Sequence, residues 1–106
     1  MKIDVERQKF ALANKTGGLS GPAIKPVAVR MVYQAAQAVK IPIIGMGGIA
    51  NAEDAIEFML AGATGVAVGA MNFVNPYTTA EVVKGIEEYM ERYHVENLTE
   101  LIGAVR

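Results

Sequence analysis

The sequence predicts an α/β protein in which parallel strands alternate with amphipathic helices. Two short apolar runs, residues 41–45 and 64–69, each end in glycine, and segments of helical periodicity precede, separate and follow them. Strands that alternate with helices pair in parallel through right-handed crossovers. Because two strands alone leave both sheet edges open, the pattern is typical of a piece of a larger α/β protein. With 106 residues, the chain is expected to form a single partial domain.

The composition excludes several classes of function. Hydrophobic residues make up 52% of the chain and charged residues 20%, which excludes a disordered protein. The formal net charge is -1, and no basic stripe offers a surface to nucleic acid. With no cysteine, the chain has no disulfide, thiolate metal site or cysteine nucleophile of its own. No apolar run approaches the roughly 18 residues of a membrane span, and we expect a cytoplasmic protein.

Residues 1–21 are expected to form an arm and a glycine-rich loop. Alternating apolar residues flank the charged tip at 6–9, a pattern that predicts a hairpin or an extended arm. The loop at 16–22 is dense in glycine. Two interpretations of this loop stay open. It is either a ligand-facing loop, in which Gly21 lets the backbone approach a cofactor, or a flexible connection.

Residues 22–106 are expected to form a helix–strand–helix–strand–helix segment. The first helix is predicted to begin at Ala23 or at Pro26, which fits a first turn, and to end at Lys40. The second helix is predicted between an N-cap at Asn51 and a glycine end at Gly62. The predicted buried stripe of this second helix consists of Ala52, Ala55, Ile56, Met59 and Leu60.

Asp54 occupies the first turn of the second helix, as in a capping box, and Asp54 and Glu57 are both interpreted as exposed charges. The last long helix is predicted to start near Asn75 or at Thr78, where Glu81 would complete a second capping box. Tyr89 and Tyr93 are expected to pack together, and a short helix is predicted after Asn97. The methionines predicted to fill the core are Met31, Met59 and Met90.

Both predicted strands end in glycine. Gly47 and Gly48 follow the first strand, and Gly69 ends the second. A phosphate carries about 1.5 to 2 negative charges at neutral pH and is held well by backbone amides at a helix N-terminus. Glycine lacks the β-carbon that would keep the phosphate oxygens away. The pair of glycine-ended strands favours a phosphate site, and ordinary tight turns remain the alternative.

No residue has the surroundings of a catalytic acid, base or nucleophile. His94 has no acidic or cysteine partner at metal-ligand spacing and lies in a polar C-terminal stretch. The acidic residues of the helices form no convincing acid–base pair. We therefore expect no catalytic residue and no metal site in this chain.

Three segments carry a resemblance to a known family. They are ANKTGGLSGPAIKP at 13–26, IPIIGMGG at 41–48 and GVAVG at 65–69. Together they resemble the C-terminal part of dihydroorotate dehydrogenase, and the nearest relatives look like the NAD-linked catalytic subunits of bacteria. The resemblance covers essentially the whole chain.

The resemblance implies the C-terminal part of a TIM (βα)8 barrel, with its last two parallel strands, three helices and an N-terminal hairpin arm. It implies FMN as the cofactor, oxidation of dihydroorotate to orotate in pyrimidine biosynthesis, and a partner subunit carrying FAD and an iron–sulfur cluster. By match of motif, the resemblance implies that Gly21, Gly47, Gly48, Gly69 and Ala70 contact FMN, the last four around its phosphate. Ala70 stands where the family usually has threonine.

The resemblance also places the family's catalytic cysteine, flavin-contacting lysine and substrate-binding asparagines outside the segment that this chain matches. We therefore expect a C-terminal fragment that is inactive by itself. Two alternatives stay open: a non-catalytic, self-associating module derived from a barrel, and a half-barrel flavin or phosphate enzyme completed by oligomerisation. Open sheet edges favour a homo-oligomer.

Overall fold

Strands and helices alternate along the chain in the predicted order. The computed structural model describes residues 1–105. The strands and helices are β1 (Ile3–Asp4), β2 (Lys9–Phe10), α1 (Lys25–Ala38), β3 (Ile44–Met46), α2 (Ala52–Ala61), β4 (Gly65–Ala67), α3 (Met71–Val74) and α4 (Thr78–Arg92), with 3-10 turns at Pro22–Ile24 and Leu98–Leu101. The short helix α3 was not predicted, and the short helix predicted after Asn97 is the 3-10 turn at Leu98–Leu101. No helix within 1–105 combines the length and the apolar character that a bilayer crossing needs.

The four strands form two separate two-stranded sheets. β1 and β2 pair antiparallel, with Ile3 opposite Phe10, so the predicted hairpin arm is confirmed. β3 and β4 pair in parallel, with Gly45 opposite Val66, and α2 is the crossover between them. The molecule is elongated and measures 56 × 33 × 20 Å. No residue of the arm belongs to the hydrophobic core cluster.

Helix α2 lies at the centre of the core, in contact with α1, α4 and β4. Phe58, which the predicted stripe leaves out, is fully buried, and so are Ala55 and Ala63. A β-carbon on Gly45 would lie 2.7 Å from Phe58 Cδ1, so the phenyl ring packs directly on the backbone of β3. Because neighbours cover α2 on several sides, its buried surface is wider than one amphipathic stripe.

The predicted ends of α2 are confirmed. The Asn51 side chain accepts a hydrogen bond from the Asp54 amide at 2.9 Å. Gly62 ends the helix at a φ of 123°, and a β-carbon there would lie 2.4 Å from Ala36 Cβ. Glycine is therefore required at this end both for its backbone angle and for the close approach of α1.

The predicted capping box at the start of α4 is wrong. Thr78 lies inside the helix, and its hydroxyl donates to the Asn75 carbonyl at 2.6 Å. The Glu81 carboxylate accepts from the Asn75 side-chain amide at 2.9 Å instead of reaching the Thr78 backbone. The Thr78 hydroxyl and the Glu81 carboxylate, which would form the capping box, therefore both bind Asn75 instead. Further along, Tyr89 and Tyr93 pack with ring centroids 4.6 Å apart, as predicted.

The predicted strands were expected to be buried, and on one face this is wrong. Gly45 is buried, but its neighbours Ile44 and Met46 are 57% and 61% exposed. Side chains of a strand alternate between faces, so the helices cover one face of this sheet and leave the other open. Met31, expected in the core, is exposed as well.

Candidate functional site

A cavity of about 500 Å³ lies at the carboxyl ends of β3 and β4. The structure places all five residues singled out by motif around it: Gly21, Gly47, Gly48, Gly69 and Ala70. Three separate segments supply them, because parallel strands bring their carboxyl ends to the same edge of the sheet. The two glycine clusters therefore face one space, as expected for neighbouring strand ends.

Gly48 lies where two stretches of backbone meet. A β-carbon on Gly48 would lie 2.7 Å from the Gly21 carbonyl oxygen and 2.9 Å from Lys25 Cβ. Its φ of 77° is in the left-handed region, which other residues adopt only with strain. Gly48 is thus required by the local fold, which is the tight-turn interpretation of the motif.

Gly69 differs from Gly48 in both respects. A β-carbon on Gly69 would meet no heavy atom of the described residues within 4 Å, and its φ lies outside the left-handed region. Neither space nor backbone angle within residues 1–105 requires glycine here. Because Gly69 lines the cavity, a side chain at this position would extend into open space that a ligand could use.

Backbone amides from both strand ends lie at the cavity without an acceptor in the described chain. No backbone hydrogen bond found among residues 1–105 takes its proton from Gly48, Gly69 or Ala70. The carbonyls of Gly69 and Ala70 do accept, from the amides of Asn72 and Phe73 at 3.0 and 3.1 Å. Backbone amides are strong hydrogen-bond donors, so these unpaired amides could donate to an anion bound in the cavity.

Gly21 begins the turn that leads from the loop into α1. Its φ is 89°, and its carbonyl accepts from the Ile24 amide at 3.2 Å. With Leu19 and Ser20, Gly21 lines the cavity. The end of the loop therefore faces the cavity.

Sequence reasoning missed an ion-pair cluster next to this cavity. Lys25 Nζ lies 2.6 Å from Asp54 Oδ1 and 2.7 Å from Glu57 Oε2. The second Asp54 oxygen accepts from the Ala50 amide at 2.9 Å, and Asp54 is only 9% exposed. The interpretation of Asp54 as an exposed charge is wrong. The signal in the sequence was Lys25 itself, because a cation in the first turn of a helix is unfavourable without acidic partners.

The contacts in this cluster keep both partners charged. Hydrogen bonds to Asp54 and then to Glu57 raise the pKa of Lys25 above its usual value. Burial acts to raise the pKa of Asp54, but the hydrogen bonds from Lys25 and Ala50 outweigh burial, and the pKa is lowered. Lys25 and Asp54 are therefore both charged at neutral pH.

The lining of the cavity offers no group for proton transfer. Apart from Ser20, every residue that lines it is glycine, proline or carries an apolar side chain. Residues 1–105 also contain no cluster of three metal-ligating side chains. The site can bind an anion through backbone amides and an apolar ring through its walls.

The sequence comparisons point to one family. The model of the family described as "Dihydroorotate dehydrogenase" matches residues 1–90. The chain is similar to the catalytic subunit of "Dihydroorotate dehydrogenase B (NAD(+))" of Lachnoclostridium phytofermentans, with 65% identity over all 106 residues and 35% of that relative's length. The subunit of the same name from Alkaliphilus oremlandii is 67% identical over 97% of this chain and 34% of its own length. The chain thus spans about a third of the length of these curated relatives.

A solved structure has the same fold. It is the crystal structure of DHODH from Eimeria tenella in complex with ferulenol, with a TM-score of 0.78 and 26% sequence identity. The match covers 89% of this chain and 26% of the Eimeria chain.

Proposed function

This chain belongs to the dihydroorotate dehydrogenase family, a family of oxidoreductases built on the TIM barrel, and from that premise we propose that it forms the phosphate end of an FMN site. One observation carries the proposal: Gly47 and Gly48 from one strand end, and Gly69 and Ala70 from the next, line a single cavity. Gly21 completes that lining from the preceding loop.

The residues around the cavity fit an anionic tail with an apolar ring system. The amides of Gly48, Gly69 and Ala70 are the donors that would hold the phosphate. The space where a β-carbon of residue 69 would lie has no heavy atom of residues 1–105 within 4 Å. Ala70 still supplies its amide, so the hydroxyl of the usual threonine is not needed for that contact. The apolar side chains of Val27, Met31 and Met46 supply the walls of the cavity.

The rest of the chemistry belongs to FMN and to residues that this cavity does not contain. When bound, FMN supplies a ring that takes up a hydride. Ser20 is the sole polar side chain in the lining of the cavity, and it is a poor general base. We propose that the whole protein oxidises dihydroorotate to orotate in the cytoplasm and passes electrons to a subunit with FAD and an iron–sulfur cluster. In that protein, residues 1–21 form the arm and loop, and 22–106 form the barrel segment.

Replacing Gly69 tests the phosphate site directly. We expect inorganic phosphate, titrated at constant ionic strength, to shift the ¹⁵N–¹H signals of Gly48, Gly69 and Ala70 saturably. Gly69→Val should weaken that binding at least about tenfold, because the new side chain occupies the space beside the amides and keeps the phosphate from one charge-assisted hydrogen bond. The free energy of unfolding should stay within about 0.5 kcal/mol, because a β-carbon at position 69 would meet no heavy atom of residues 1–105 within 4 Å.

Gly18→Val is the matched control. A β-carbon on Gly18 would also meet no heavy atom of the described residues within 4 Å, but Gly18 does not line the cavity. This variant should bind phosphate like the unmodified chain. If the unmodified chain shows no saturable shift, the proposed site is wrong. If Gly69→Val and the unmodified chain bind phosphate with equal affinity, Gly69 is not part of the site.

The proposal that this chain alone is inactive has its own test. With FMN and dihydroorotate present, we expect the flavin absorbance near 450 nm to stay unchanged, because no residue lining the cavity can accept the substrate proton. Absorbance is followed anaerobically, with dithionite bleaching as the positive control. Bleaching by dihydroorotate would overturn inactivity and favour the half-barrel enzyme.

Self-association is proposed as a further property because one observation favours it. The open face of the β3–β4 sheet presents Ile44 and Met46 to solvent. Such a face is characteristic of a surface that other protein covers.

A further inference from the structure

We propose that Lys25 is a positioning residue for the anion site: its ion pairs with Asp54 and Glu57 hold the Gly21 turn against Gly48. This inference rests on the proposed function, since it explains how the phosphate end of that same site keeps its shape. Lys25 does not line the cavity, so it acts through the backbone that it fixes.

The backbone of Lys25 lies in direct contact with the glycine corner. A β-carbon on Gly48 would lie 2.9 Å from Lys25 Cβ and 3.1 Å from the Lys25 amide nitrogen. The same β-carbon would lie 2.7 Å from the Gly21 carbonyl oxygen. The segment from Gly21 to Lys25 therefore packs so closely on Gly48 that a β-carbon has no room there.

The side chain of Lys25 ties this segment to α2. Its ammonium lies 2.6 Å from Asp54 Oδ1 and 2.7 Å from Glu57 Oε2, two carboxylates one turn apart. The other Asp54 oxygen accepts from the amide of Ala50, two residues after Gly48. The Asp54 carboxylate therefore holds both Lys25 and the Gly48–Ala50 segment, the two parts of the chain that meet at this corner.

The charges of the cluster show why Lys25 is not itself an anion ligand. One ammonium faces two carboxylates, so the cluster has no positive charge left over for a ligand. Its cation is placed at the first residue of α1, where the helix dipole disfavours it. The two carboxylates offset this unfavourable interaction with the helix dipole. Such an arrangement is expected for a residue that holds a segment in place.

Lys25→Met tests the inference, because it keeps much of the side-chain stem and removes the ammonium. We expect the dissociation constant for inorganic phosphate to rise about two- to thirtyfold, the range seen for residues that act on a site without touching the ligand. Without phosphate, the amide signals of Gly21 and Gly48 should shift, while those of α4 should not. Lys25→Arg should restore much of the affinity.

Lys84→Met is the matched control, since Lys84 forms an exposed pair with Glu88 at 3.7 Å, on α4. It should change neither the affinity nor the signals of Gly21 and Gly48. Should Lys25→Met unfold, Glu57→Gln replaces it, because this variant removes one of the two pairs and leaves Asp54 in place. The same changes, smaller in size, are then expected.

The outcomes separate this inference from the proposed function. If the unmodified chain does not bind phosphate, the proposed function fails, and the ligand-free shifts of Gly21 and Gly48 still test the positional contact. If the unmodified chain binds and the cluster variants bind equally well, the positioning role is overturned. It is also overturned if signals change uniformly across the chain and the affinity falls only with the folded fraction.

Discussion

Phe58→Ala is expected to destabilise the chain by about 3–5 kcal/mol, the usual effect of removing a buried phenyl ring. Phe58 has no exposed surface and fills the space between α2 and the backbone of β3. Small domains are stable by about 5–15 kcal/mol, so this loss is a large fraction of the stability expected for a chain of this size. Urea unfolding followed by far-UV circular dichroism measures it.

Phe73→Ala is the matched control for this experiment. The two variants delete the same ring, but Phe73, on α3, is 95% exposed. We expect its free energy of unfolding to change by no more than about 0.5 kcal/mol. Equal midpoints for Phe58→Ala and Phe73→Ala would show that α2 is not the centre of the core.

Local signals in the sequence predicted the elements and their order. The Asn51 cap and the Gly62 end depend on residues within a few positions of each other, so they can be inferred without knowing the fold. The parallel pairing of β3 with β4 follows from the intervening helix alone. The gathering of Gly48 and Gly69 at one cavity follows in turn from that pairing.

The mispredicted residues depend on neighbours that are distant in sequence. Asp54 is buried because Lys25, 29 residues away, meets it. Phe58 lies three residues after Ala55, so helical spacing permits its burial, but the sequence does not show that β3 covers this side of α2, where Gly45 lets the backbone approach. Ile44 is exposed because the helices cover one face of the sheet. In each case the tertiary contact, and not the local pattern, decides.

The same distinction applies within the candidate site. Gly48 is required by the fold, through its φ and its contact with Gly21, so its presence says little about a ligand. Gly69 is not required by any atom of the described residues, so it is the more informative of the two. The sequence alone does not distinguish these two glycines. The structure does, because Gly48 is crowded by its neighbours and Gly69 is not.

Self-association is the second large effect that we expect. At micromolar concentration the chain should be oligomeric in analytical ultracentrifugation, because Ile44 and Met46 make its open sheet face apolar and Met46 also lines the cavity. The exposed apolar residues of this surface are Val27, Met31, Ile44, Met46 and Val74. Ile44→Lys should shift the population to monomer, since a charge at an apolar interface is unfavourable.

Val5→Lys is the control for that variant. Val5 is 80% exposed, but it lies in the arm, away from the sheet face. It should leave the oligomer intact. A single monomeric species for the unmodified chain at micromolar concentration would contradict the prediction.

The monomeric Ile44→Lys variant also decides between the proposed function and its alternatives, because Ile44 does not line the cavity. If the variant and the unmodified chain bind phosphate equally well, a single chain forms the site, as proposed. If only the oligomer binds, a second copy completes the site, which is the half-barrel alternative. If neither binds while the unmodified chain still associates, the self-associating module remains. The open face and the glycine cavity are neighbours in the fold, so this one substitution separates their roles.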